Sequence, residues 1–130
     1  MFKTIVITLI ILFSNVSPSW SDNWILIVSD VKGNDYYLDL DSIKKDKDHI
    51  YVWILTNLSE PTRKGFFSYK RYRKIDCNLV GSQKLISEYY DRQMLSGQIL
   101  YSNELKSEWQ YPISGSAGEA FIKKVCVIAN

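Results

Sequence analysis

"HIYVWILTNL", residues 49–58, is the stretch on which the fold turns. It is rich in β-branched and aromatic residues, the composition a pleated strand favours. It is also apolar at odd and even positions alike, which places such a strand inside a sheet and not at its rim. Upstream, "NWILIVSD" (23–30) reads as a first strand, with Trp24, Leu26 and Val28 on one face and Ile25 and Ile27 on the other. "KGND" (32–35) is turn chemistry, and "YYLDLDSI" (36–43) a second strand built on Tyr37, Leu38 and Leu40. The charged tract "DSIKKDKD" (41–48) then reads as a single helical turn or a loop.

Downstream, Ser59, Pro61 and Gly65 break the pattern in "SEPTRKG". A long strand "FFSYKRYRKIDC" (66–77) follows, then a turn at "NLVGS" (78–82). "QKLISEYYD" (83–91) and "QILYSNEL" (98–105) are two more strands around Gly97, and "EWQYPISGS" (108–116) is extended and ends in a turn. The period changes in "SAGEAFIKKVCVIAN" (116–130), where Ala120, Phe121, Val125 and Ile128 recur at helical steps. Ser116 and Glu119 have capping-box spacing, and Lys123 and Lys124 suit the negative end of the helix dipole. The expected fold is α+β: an antiparallel meander of five or six strands with one C-terminal helix.

The beginning of the chain bears on its compartment. Lys3 precedes the apolar run Ile5–Phe13, and the small-residue stretch "SNVSPSWS" follows. That is the order of a secretory signal peptide, and the run is far short of the ~20 residues that a membrane-spanning helix needs. We expect a signal peptide over residues 1–21 and one domain over residues 22–130, with cleavage after Ser21 or, alternatively, after Ser19. The chain has 16 basic and 14 acidic residues. Setting Lys3 aside leaves 15 against 14, so no global charge demands a polyanionic partner. Cys77 and Cys126 are the two cysteines, and an even count in an exported chain points to one disulfide tethering helix to sheet. Closing a loop of about 50 residues restricts the unfolded chain by roughly 4 kcal/mol.

Catalytic chemistry finds little material. His49 is the single histidine and opens a strand, so a Ser-His-Asp arrangement rests on one imidazole with no nucleophile elbow nearby. Paired thiols are not nucleophiles. Asp39, Asp41 and Asp76 are scattered as in any soluble chain, and neither a phosphate-cradling glycine loop nor a set of metal ligands is present. No enzyme activity, cofactor or metal is expected.

The charge clusters in "RKGFFSYKRYRK" (63–74), six basic residues interleaved with four aromatics. Lys64, Gly65 and Phe66 match the start of an aromatic RNA-binding signature, but Phe67, Ser68 and Tyr69 depart from it, and no nucleic-acid partner is expected. As a strand, one parity carries Phe67, Tyr69, Arg71, Arg73, Ile75 and Cys77, the other Phe66, Ser68, Lys70, Tyr72, Lys74 and Asp76. Cys77 must face the helix, which puts Arg71 and Arg73 on the inward parity. Either a bulge shifts the register, or the middle of the strand runs past the helix and is exposed on both sides. The stretch reads as a solvated edge strand whose charges block unwanted pairing, or as a contact surface made by Lys64, Tyr69, Lys70, Arg71, Tyr72, Arg73 and Lys74. Such a surface would suit an acidic protein segment or a sulfated glycan. Trp24, Trp53 and Trp109 sit in strand patterns and are expected in the core.

"YYLDLDSI", "IYVWIL", "YRKIDC" and "EWQYPISGSAGEAFIKKVC", in that order, resemble the bacterial surface-adhesin protein E family from Trp24 to Cys126. The resemblance implies a small antiparallel sheet with a C-terminal helix joined to it by the Cys77–Cys126 disulfide. It implies exposure in the periplasm, at the cell surface or outside, and a fold able to pair as a homodimer. It also implies non-catalytic binding of host matrix and serum proteins such as laminin, vitronectin and plasminogen; the runner-up is a structural or accessory protein of the periplasm. The sequence departs from the family in two places. It has no cysteine directly after the signal peptide, so no lipoprotein anchor is expected, and the Pro-Gly-Ser turn becomes "PISGS", Pro112–Ser116.

Overall fold

The structure is a computed structural model and describes residues 22–130; the expected signal peptide lies outside them. Seven strands form one sheet: β1 (Trp24–Ser29), β2 (Asp35–Asp39), β3 (Lys44–Asp46), β4 (His49–Asn57), β5 (Ser68–Asp76), β6 (Gly81–Tyr90) and β7 (Ile99–Asn103). Helix α1 (Ala117–Ala129) follows. The order across the sheet is β1-β2-β4-β5-β6-β7, with β3 also paired to β4. Every pairing is antiparallel, so the chain is a meander in which sequence neighbours are mostly space neighbours.

The additional strand lies in the charged tract expected to be a turn or loop. β2 and β3 both pair with β4 and behave as one strand interrupted by a 3-10 turn, Leu40–Ser42. Polar side chains take over where the ladder breaks. Asp39 accepts from the backbone N–H of Asn23 at 3.0 Å and of Asp41 at 3.1 Å. Ser42 Oγ donates to the Asp39 carbonyl and accepts from the Trp53 N–H at 2.9 Å. Burial pattern alone could not reveal β3, because all three of its residues are exposed.

The core lies between one sheet face, here the inner face, and the helix. Ile27, Leu38, Ile50, Val52, Ile54 and Ile75 meet Phe121, Ile122 and Val125. Each such side chain contributes about 1.5–3 kcal/mol by leaving water. The helix is rotated from the expected face: Phe121, Ile122 and Val125 are buried, whereas Ala120 and Ile128 are exposed. Cys126 is half-buried beside this stripe and bonded to Cys77 with an S–S length of 2.03 Å, so the helix is tethered just after β5. In β1 the expected alternation holds for Ile25, Leu26 and Ile27, with Ile27 buried and Leu26 exposed, but a bulge between Leu26 and Val28 breaks it and Val28 packs against the core as well.

β5 is not an edge. It is hydrogen-bonded along its whole length to β4 and also paired with β6, and the rims of the sheet are β1 and β7. Trp24, Trp53 and Trp109 are half-buried and not members of the core.

Candidate functional site

The continuous register between β4 and β5 sorts the basic strand into two faces. Tyr69, Arg71, Arg73 and Ile75 lie opposite Thr56, Ile54, Val52 and Ile50 on the inner face. Lys70, Tyr72 and Lys74 lie opposite Leu55, Trp53 and Tyr51 on the outer face. Lys64 belongs to neither; it lies in the loop before β5, bordering a shallow depression with Phe66, Tyr89, Leu100 and Tyr101. The bulge anticipated in β5 is instead taken up by β6, which skips Leu85 between the partners of Tyr72 and Arg73. Arg71 and Arg73 therefore keep their inward parity, and neither is exposed on both sides.

Along the outer face, Tyr72 packs against Trp53 at 5.2 Å and Tyr51 at 6.1 Å between ring centroids. The ammonium of Lys70 stands 4.7 Å from the Trp53 ring and 3.7 Å from the Glu88 carboxylate. Lys74 reaches over Tyr51 at 5.8 Å and Trp109 at 6.0 Å. Burial, and after it the neighbouring Tyr51, raises the pKa of Tyr72, so its hydroxyl stays protonated. The two ends of this face are covered: Trp109 lies tilted against His49 at one, with ring centroids 5.6 Å apart. At the other the Arg92–Leu95 segment folds over Leu55 and Ser68, with Leu95 N–H donating to Ser68 Oγ at 2.9 Å. Between them the basic-aromatic row is uncovered by the helix.

The inner face continues past the helix as a cleft. β5 floors it, the first turns of α1 (Gly118, Phe121, Ile122) form one wall and Gln110–Pro112 another, enclosing about 250 Å³. Gln110 is brought there by a bridge to Ser82, with backbone bonds of 2.8 and 2.9 Å. Tyr111 lies against Gly81, where even a Cβ would come within 2.5 Å of its ring, so the glycine lets the aromatic side chain close the cleft. Arg73 Nη1 donates to Ser82 Oγ at 3.1 Å and to Gln110 Oε1 at 3.2 Å. Arg71 Nη2 donates to Tyr89 Oη at 2.7 Å, and its guanidinium lies 4.2 Å from the Tyr69 ring. Burial, then the adjacent Arg71, pushes Arg73 down to about 10. Burial works to raise the Tyr89 pKa, but the hydrogen bond and charge of Arg71 hold it below the ordinary phenol value.

Sequence parity identified the arginines as neighbours. It gave no sign of Ser82, Gln110 and Tyr111, which arrive from distant segments, nor of Tyr51 and Trp53 as partners of Lys74 and Lys70. Among the described residues, no group of three His, Cys, Asp or Glu side chains is placed to hold a metal, and no helix is long and apolar enough to cross a membrane.

The family model for surface-adhesin protein E matches residues 24–127. No curated relative matches the chain. Among solved structures, a second crystal form of Haemophilus influenzae protein E is similar with a TM-score of 0.60 at 17% identity, over 91% of this chain and 97% of that one. Protein E from non-typeable Haemophilus influenzae matches with a TM-score of 0.57 at 17% identity, over 90% and 83% of the two chains. At this identity the likeness to the solved structures is one of fold.

Proposed function

The chain belongs to the surface-adhesin protein E family, and on that premise we propose that it is an exported, non-catalytic adhesin that binds acidic segments of host matrix or serum proteins through the outer face of its sheet. Laminin, vitronectin and plasminogen are the first ligands to test, and sulfated glycans the first competitors. The observation that carries this reading is the uncovered row of Tyr51, Trp53 and Tyr72 with Lys70 and Lys74 laid over it. Charge steers an acidic partner to such a face, and the rings supply contact area at low entropic cost. Tyr69, Arg71 and Arg73 belong to the opposite face, and Lys64 to its loop, so the residues legible as one basic stretch serve two surfaces. The reading places the protein at the cell surface or outside the cell.

The test is surface binding of the purified protein to immobilised laminin, vitronectin and plasminogen at several salt concentrations. Lys70→Gln/Lys74→Gln is expected to weaken saturable binding by roughly tenfold, about 1.4 kcal/mol, and to flatten its salt dependence. Arg71→Gln should leave it unchanged. Binding that is absent at physiological salt, or that the lysine variant retains in full, overturns the outer face as the site. Surface labelling of intact cells separates an adhesin from a periplasmic accessory protein.

A further inference from the structure

We propose that the inner cleft between β5, α1 and the Gln110–Pro112 segment binds a small carboxylate borne on an aromatic ring, with Arg71 and Arg73 holding the carboxylate. This site lies on the face of the sheet opposite the basic-aromatic row and does not depend on matrix-protein binding.

Four features of the cleft lead to that ligand. Two mostly buried guanidinium groups point into one cavity from positions 71 and 73 of a single strand, and no Asp or Glu is among the residues that line it. The ion pairs among the described residues are Lys70–Glu88 and Lys123–Glu119, so neither arginine has a carboxylate partner. The acid on the neighbouring helix turn, Glu119, is occupied elsewhere: its Oε1 accepts from the Gly115 N–H at 3.0 Å and faces Lys123. A buried cation without a counter-charge is costly, and two side by side are more so.

The donors are also underused. Arg73 spends Nη1 on two neutral oxygens and Arg71 spends Nη2 on a phenol, while Arg71 Nε is buried with no partner. A guanidinium fork presents parallel N–H groups that match a carboxylate in a bidentate pair. The first turns of α1 form a wall, and the positive end of the helix dipole adds to the attraction.

The rest of the lining selects the body of the ligand. Tyr36, Tyr69, Tyr111 and Phe121 supply rings, and Ile54 and Pro112 supply aliphatic surface. A bare inorganic anion would leave these walls without a partner. A cavity of about 250 Å³ has room for a ring with a short acidic arm. Binding sites for small molecules commonly combine such apolar walls with a few convergent polar groups.

Isothermal titration of the purified protein is the test, with phenylacetate as the free acid and N-acetylphenylalanine as the mimic of a peptide chain end. Phenylacetamide and sulfate are the controls. Either acid should bind one to one and at least about tenfold more tightly than both controls, and the tighter of the two names the source. Arg71→Gln should abolish binding, and Arg71→Lys, which keeps the charge but not the fork, should weaken it by roughly tenfold. Lys70→Gln should not change it. In the wild-type protein the amide signals of Gly118 and Tyr111 should move on titration while that of Trp53 stays, a readout that needs no variant to fold. Absence of saturable binding by both acids, sulfate binding as tightly as they do, or amide shifts centred on Trp53 would each overturn the proposal.

Discussion

Arg73 shows how one residue can be set against the stability of the fold that holds it. Its folded-state pKa is lowered to about 10, by burial and then by Arg71. A base whose folded pKa is lowered costs stability wherever both states are charged, and that cost is relieved as pH rises through the folded value. At neutral pH the cost is present in full. Arg73→Met, which keeps the apolar volume and removes the charge, is therefore expected to leave stability unchanged or raise it by about 1 kcal/mol. Urea denaturation at pH 7 measures this, and a loss of stability would show that the hydrogen bonds to Ser82 and Gln110 outweigh desolvation. The identity of Arg73 was plain in the sequence, and so was its parity. What it faces was not, since Gln110 is far along the chain and reaches it only because the Ser82–Gln110 bridge closes.

At the scale of elements, α1 was readable at its beginning and only in part on its buried side, where Phe121 and Val125 are buried as expected but Ile122 takes the place of Ala120 and Ile128. The Ser116 side chain accepts from the Glu119 N–H at 3.3 Å as the capping pattern requires. Glu119 returns its carboxylate to Gly115, one residue before the cap, so the box is closed by a neighbour of the usual partner. Ser116→Ala is expected to cost about 1 kcal/mol of stability, seen as an equal shift in thermal and denaturant unfolding free energies. A negligible change would mean that packing of Phe121, Ile122 and Val125 holds the first turn without the cap. The stripe is turned from its expected centre because helical periodicity fixes which residues share a face but leaves several adjacent stripes nearly equivalent. Contact with the sheet chooses among them. β3 was invisible for a related reason: its side chains touch no core, and only its backbone pairing with β4 defines it.

At the scale of the whole fold over residues 22–130, one helix covers one face of a seven-stranded sheet, and a disulfide holds it there. The bridge closes a loop with a sequence separation of 49 residues, for which the chain-entropy account gives about 4 kcal/mol. In a domain this small that is a large part of the net stability. Cys77→Ser/Cys126→Ser is expected to lose about that amount in a chemical denaturation series, with the sheet regaining its far-UV signature at low denaturant. A loss below about 1 kcal/mol would show that core burial alone seats the helix.

The sequence by itself determined the order and type of nearly every element, the central place of residues 49–58, the single disulfide and the family. The first three depend on local composition, on period and on the identities of two cysteines, and the family on the ordered motifs that run from Trp24 to Cys126. Only the tertiary structure decided that the basic strand lies inside the sheet and that its cations divide between an open aromatic row and a cleft. Strand parity says which side chains share a face, but not which element covers that face or where the cover ends. That is set by where α1 packs and by the return of residues 107–112 along β6, both contacts between segments far apart in the chain.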